Sequence, residues 1–96
     1  MQQYLVYAWD GTDAHALERR MSARPSHLER ARKLKASGNY VMGGALLDEE
    51  GKMVGSTMIV QFESKEQLNH WLDDEPYLAQ KVWEKVEIHP FRVAEI

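Results

Sequence analysis

His27 is the side chain of this sequence best suited to proton transfer near neutral pH. It lies in phase with Ala31 and Leu34, which places its ring on the inward edge of a predicted helix. Asp10 ends the first apolar segment, and we expect it close to the start of that helix. A carboxylate on one imidazole nitrogen fixes the tautomer and stabilises the imidazolium, so the pair predicts a general acid or base. The alternative is a helix-capping or surface histidine with an acid nearby.

A run of three acids, Asp73 to Glu75, directly precedes Pro76. Repulsion between neighbouring carboxylates favours proton uptake by one of them, which would make it a proton carrier. The alternative is a solvated helix end, although acids are electrostatically unfavourable at a helix C-terminus. Helical phase points Glu75 inward, but proline disfavours helical geometry for the residue before it. We therefore predict that Asp73, and not Glu75, acts with His27.

Arg20 and Arg24 carry guanidinium groups that could bind an anionic or phenolate group, although arginine is commoner on a solvated helix face. The four histidines lack the spacing of a metal site, so we predict no metal centre. No cysteine is present, which excludes disulfides and a cysteine nucleophile.

The composition excludes several classes of protein. A net charge of −3 does not provide the basic stripe of a nucleic-acid-binding protein. No segment approaches the roughly 18 consecutive apolar residues of a membrane helix, and the N-terminus does not resemble a secretory signal. We therefore expect a soluble, cytoplasmic protein with no nucleic-acid or membrane partner. Its 96 residues suit a single domain, residues 1–96.

Four strands and two helices must position these side chains. Ala16 to Met21 favours a separate helical turn, because Arg24-Pro25 interrupts the pattern before the first long helix. Gly38 is the expected stop of that helix. The predicted elements in chain order are strand Tyr4–Trp9, helix Ser26–Ser37, hairpin strands Tyr40–Leu47 and Met53–Phe62, a helix from Ser64 to near Asp74, and strand Trp83–Phe91.

This βαββαβ order predicts an α+β fold, a ferredoxin-like sandwich with two helices on one face of an antiparallel sheet. The first strand is apolar on both faces: Leu5, Tyr7 and Trp9 point one way and the residues between them the other. The helices can cover only one of these faces. Burial of apolar surface is worth roughly 25 cal/mol per Å², so we predict a homodimer stacked through the uncovered faces.

Five short motifs follow one another along nearly the whole chain and resemble the YciI-like family. The resemblance implies a ferredoxin-like fold of the dimeric α+β barrel class. It also implies a pocket centred on a histidine and an aspartate, matched here by His27 with Asp10 and by Asp73. The family often has aspartate directly before its Pro-Tyr pair, where this chain has Glu75. The matching motifs are Tyr4–Asp10, Arg20–Leu28, Gly43-Gly44, Gly55–Thr57 and Trp71–Tyr77, followed by a final strand at Val86–Phe91.

The family includes a cofactor-free dehydrochlorinase of a chlorinated hydroxyhydroquinone, and the resemblance implies similar chemistry on a small-molecule substrate. His27 would be the base, oriented by Asp10 or Asp73, with Ser56 or Arg24 bonded to a ring oxygen. Such an elimination needs no cofactor. Two alternatives would use the same predicted pocket: a ring-lactone isomerase, and a non-catalytic dimer that binds a small aromatic metabolite. The predicted substrate-binding residues are Ser56, Arg24, Arg20, Glu75, Pro76 and Tyr77.

Overall fold

The computed structural model describes residues 1–96 as a four-stranded antiparallel sheet with three helices. The strand order is β2-β3-β1-β4, with β1 between β3 and β4. The order of elements and the antiparallel pairing confirm the predicted ferredoxin-like α+β fold. The elements are β1 Gln2–Asp10, α1 Ala16–Ala36, β2 Tyr40–Leu47, β3 Met53–Phe62, α2 Lys65–Asp73, α3 Pro76–Ala79 and β4 Trp83–Phe91.

Only one face of the sheet is buried. Alternate β1 residues from Tyr4 to Ala8 are at most 5% exposed, because successive strand side chains point to opposite faces. Trp9, on the other face, is 39% exposed. Apolar side chains continue this surface on β3 and β2, whereas the β4 partners of Leu5, Tyr7 and Trp9 are His89, Glu87 and Lys85. We call this surface the open sheet face; its apolar members are Leu5, Tyr7, Trp9, Met42, Leu46, Ile59 and Phe91.

Helix α1 is longer than predicted. The expected start at Ser26 and the separate earlier turn are wrong, because one helix runs through Pro25. Proline removes a backbone N–H and crowds the preceding turn. Pro25 lies on the exposed side of α1, however, where water can reach the carbonyl left without a partner. The helix is held on both sides of the proline by inward residues, the buried Arg20, Ala23 and His27.

Helices α2 and α3 meet at a sharp turn. Ser64 caps the start of α2 and the helix ends at Asp73, both as predicted. The four-residue α3 was not predicted. Pro76 occupies its first turn, where a missing N–H costs nothing. Glu75 is its N-cap in extended geometry, with φ −67° and ψ 120°, and accepts a hydrogen bond from the backbone N–H of Tyr77. None of the three helices has the length and apolar character needed to cross a membrane.

Candidate active site

A cavity of about 110 Å³ lies between α1 and the β2–β3 half of the sheet. Polar side chains from four elements line it: Arg20, Arg24 and His27 from α1, Tyr40 from β2, Ser56 from β3 and Tyr77 from α3.

Gly43 keeps the β2 wall of the cavity open. A β-carbon at this position would lie 2.6 Å from the Tyr40 hydroxyl oxygen, 2.9 Å from the Thr57 carbonyl oxygen and 3.1 Å from Cγ of Met58. These separations are shorter than van der Waals contact, so a larger residue would have to displace the wall. A β-carbon at Gly44 would meet nothing within 4 Å. Gly43 is therefore the member of the glycine pair that the cavity requires.

His27 and Glu75 form a buried pair beside the cavity. Nδ1 of His27 lies 2.5 Å from Oε1 of Glu75. The residues are 9% and 1% exposed, respectively. The same carboxylate oxygen accepts a 3.3 Å hydrogen bond from the backbone N–H of Tyr77. Because the carboxylate occupies Nδ1, Nε2 is the imidazole nitrogen left to exchange a proton with a ligand.

Arg30 contacts the other oxygen of Glu75. Its Nη1 lies 3.6 Å from Oε2, and its Nη2 donates a 3.0 Å hydrogen bond to the carbonyl of Trp71. The Glu75 carboxylate therefore lies between the Arg30 guanidinium and the His27 ring. Arg30 was not among the predicted site residues. Its position three residues after His27 was the signal for a shared helix face.

Tyr77 stacks on His27, with ring centroids 4.0 Å apart and planes at 12°. The guanidinium carbon of Arg20 lies 4.7 Å from the centroid of the same ring. Arg20 and His27 are about two helical turns apart on α1, so the tyrosine ring lies between them. Burial raises the pKa of Tyr77 more than the charges of Arg20 and Arg24 lower it. The phenol therefore keeps its proton at neutral pH.

Asp10 is paired with Arg20. Nη1 of Arg20 donates to both carboxylate oxygens, at 3.0 and 3.1 Å, and the two side chains are only 3% and 2% exposed. Nη2 of Arg20 donates to Oγ of Ser56 at 2.8 Å, and Nε1 of Trp83 donates to the same oxygen at 3.1 Å. Burial raises the pKa of Asp10 more than the Arg20 charge lowers it. This network joins α1 to three strands of the sheet.

The structure corrects the predicted partners of His27. Asp10 is engaged by an arginine, and Asp73 is exposed at the end of α2 without an ion pair. The extended backbone that Pro76 requires turns Glu75, and not Asp73, under α1. His27 lies in the middle of a long helix, whereas the sequence predicted it in the first turn of a helix that begins at Ser26.

Most of the predicted substrate-binding residues line the cavity. Arg24 is half-buried there and forms no ion pair within the chain. Pro76 is buried but does not line the cavity. Glu75 does not line the cavity either, and it contacts the cavity wall only through its pair with His27. Trp83 was not among the predicted site residues, although its Nε1 donates a hydrogen bond to Ser56 in the cavity wall. The predicted residues that line the cavity are Arg20, Arg24, Ser56 and Tyr77.

A known protein family, described as the YCII-related domain, matches residues 3–92. The chain belongs to this family. Protein YciI of Escherichia coli is 37% identical over 95 residues, which cover 93% of this chain and 95% of that protein. Derivative of benzaldehyde biosynthesis cluster protein C of Emericella nidulans is 33% identical over 82 residues, covering 75% of this chain and 84% of that protein. The family predicted from the sequence motifs is therefore confirmed.

A solved structure extends the similarity of this YCII-related chain to an enzyme. It is 5-chloro-2-hydroxyhydroquinone dehydrochlorinase (TftG) from Burkholderia phenoliruptrix, in complex with 2,5-dihydroxybenzoquinone. The TM-score is 0.81 at 21% identity, over 96% of this chain and 95% of that one. At this identity the similarity concerns the fold, and it confirms the predicted fold class.

Proposed function

We propose that this YCII-related protein is a cofactor-independent acid–base enzyme that acts on a small hydroxylated aromatic or quinol-type ring. The observation that carries the proposal is the buried pair of His27 and Glu75, 2.5 Å apart, at a cavity lined by donors. A positioned imidazole with one free nitrogen is what general acid–base catalysis requires.

Two similar proteins support aromatic chemistry. The dehydrochlorinase of similar fold carries 2,5-dihydroxybenzoquinone in its solved complex. The Emericella nidulans relative takes its name from a biosynthesis cluster for a derivative of benzaldehyde. Within this chain, Tyr77 and His27 already form a stacked aromatic wall. Elimination of HCl from a chlorinated hydroxyhydroquinone is therefore the specific reaction that we propose.

The groups at the cavity suit each step of that elimination. Nε2 of His27 takes a proton from a ring hydroxyl, whose electron pair forms a carbonyl while the chlorine-bearing carbon takes up a proton. Chloride then leaves with the C–Cl electron pair, and a second hydroxyl loses its proton to form the quinone. Arg24 stabilises the oxyanion formed on the way. The net loss is one proton and one chloride, so the step needs no oxidant.

The test is release of chloride from 5-chloro-2-hydroxyhydroquinone by the purified protein. We expect saturable release far above the rate in buffer, without an added cofactor, and a matching absorbance change as the quinone forms. Hydroxyhydroquinone without chlorine is the control for absorbance changes that arise from oxidation by air. Saturable binding without chloride release would contradict the proposal and favour a non-catalytic aromatic-binding dimer. Turnover of a ring lactone alone would favour the isomerase.

We also propose that two copies of the chain stack through the open sheet face. Trp9 and Met42 on this face are 39% and 59% exposed, although each is a large apolar side chain. Contiguous apolar patches of this kind mark interaction surfaces in soluble proteins. We expect sedimentation velocity at micromolar concentration to give twice the chain mass of 11.1 kDa. Trp9→Lys should yield the monomer, whereas Met21→Lys on α1, 48% exposed, should not. A monomeric wild-type chain would contradict this proposal.

A further inference from the structure

Ser56 presents to the cavity a buried hydroxyl whose hydrogen has no acceptor. The residue is 2% exposed and lines the cavity. Its oxygen accepts hydrogen bonds from Nη2 of Arg20 and Nε1 of Trp83, at 2.8 and 3.1 Å. A guanidinium and an indole N–H can only donate, so together they occupy both lone pairs of the serine oxygen. The O–H hydrogen is left over, and no group of the chain accepts it.

This arrangement fixes the direction in which Ser56 can bond. A serine hydroxyl ordinarily rotates to donate or accept as its neighbour requires. Here Arg20 and Trp83 leave it only the role of donor, and donation to its oxygen polarises the O–H bond. A ligand atom placed against Ser56 must therefore be an acceptor, and an anionic oxygen is the strongest acceptor available.

Other polar groups of the wall can donate as well, beside Nε2 of His27, which is the acceptor in the proposed function. Arg24 lines the cavity and forms no ion pair within the chain. Tyr40 and Tyr77 also line it; burial raises the pKa of both phenols, so both keep their hydrogens at neutral pH. The nearby carboxylates of Asp10 and Glu75 are engaged by an arginine and a histidine. The cavity thus offers donors and a positive charge but no free carboxylate.

We propose that this site binds its ligand as an oxyanion on a small ring, with the charged oxygen between the Ser56 hydroxyl and the Arg24 guanidinium. The inference rests on the proposed function for the statement that the ligand is a ring, and it adds that an oxygen substituent of this ring is ionised. A phenolate and a ring carboxylate share the required chemistry, and the probes below distinguish them.

The first test compares probes on the wild-type protein by calorimetric titration. At a pH where 4-nitrophenol is ionised, we expect 4-nitrophenolate to bind at least about tenfold more tightly than 4-nitroanisole, the same ring without the charge. If 4-nitrobenzoate binds as tightly as 4-nitrophenolate, the site accepts ring oxyanions in general. If 4-nitrobenzoate binds more weakly, the site prefers phenolates. Equal affinities for 4-nitrophenolate and 4-nitroanisole would overturn the proposal.

The second test removes the donor. Ser56→Ala should weaken 4-nitrophenolate binding roughly 10- to 100-fold, the range for a hydrogen bond to a charged group, and leave 4-nitroanisole nearly unaffected. Ser22→Ala, at an exposed serine of α1, is the matched control. Unchanged 4-nitrophenolate affinity in a folded Ser56→Ala variant would overturn the role of Ser56. If this variant does not fold, the wild-type comparison still decides. Binding is measured without turnover, so failure of the catalytic proposal would leave this result intact.

Discussion

Replacing Glu75 with glutamine is expected to lower chloride release by roughly 10²- to 10⁴-fold. Oε1 of Glu75 lies 2.5 Å from Nδ1 of His27 and stabilises the imidazolium that forms when Nε2 takes a proton. A neutral amide cannot supply this charge. Initial rates of chloride release measure the effect.

Asp73→Asn is the control, since it makes the same chemical change two residues earlier at an exposed position. We expect it to leave the rate unaltered. His27→Gln should lower the rate at least as much as Glu75→Gln. The double variant should be no slower than His27→Gln alone, because the two residues act as one unit. A slower Asp73→Asn beside an unaffected Glu75→Gln would restore Asp73 as the partner.

Replacing Arg20 with methionine should lower the free energy of unfolding by roughly 3–5 kcal/mol, the usual cost of removing one partner from a buried ion pair. The change leaves Asp10 buried, with its side chain 2% exposed, and without its cation. It also removes one donor to Ser56. Urea denaturation is the measurement, and a lower midpoint with an unchanged slope identifies a loss of stability.

Arg19→Met is the matched control, because the neighbouring arginine forms a similar pair, 2.7 Å from Asp13, at the surface. Exposed pairs contribute little, so this variant should unfold close to the wild-type midpoint. Acid should partly rescue Arg20→Met. Burial raises the pKa of Asp10 even beside Arg20. In the variant that lacks Arg20, Asp10 therefore binds a proton more tightly in the folded state than in the unfolded chain. Its stability should therefore be greater below that pKa. Equal losses in both arginine variants would contradict the prediction.

The strands could be predicted because their patterns are simple. Tyr40–Leu47, Met53–Phe62 and Trp83–Phe91 each begin and end at the predicted residue. Polar residues flank the first two segments on both sides, and polar and apolar residues alternate along the third. These signals are local, so a single sequence carries them.

The first half of α1 could not be recognised in the same way. Its inward face contains Arg20, and a charged residue at a core position reads as a surface residue. Only the position of Asp10 on the neighbouring strand explains the burial, and that contact depends on the tertiary fold. Pro25 then favoured the prediction that the helix begins at Ser26, because the local sequence does not show that this proline lies on the exposed side of a longer helix.

The prediction that Asp73, and not Glu75, lies beside His27 was wrong for a different reason. The non-helical backbone before Pro76 was predicted correctly, but the direction in which it turns the Glu75 side chain was not. Extended geometry at Glu75 makes this residue the N-cap of α3 and directs its carboxylate under α1. Two sequence signals favoured this outcome: the helical phase of α2, and an acid directly before a proline that begins a new helix.

The central position of β1 determines when this protein can complete its fold during synthesis. The ribosome makes β1 first, but one edge of that strand pairs with β4, the last element of the chain. Until Trp83–Phe91 has emerged, the hydrogen-bonding groups along that edge of β1 have no partner. An unpaired strand edge is a template for association with other chains. That edge of β1 is therefore open to association with other chains until β4 has been made and can pair with it.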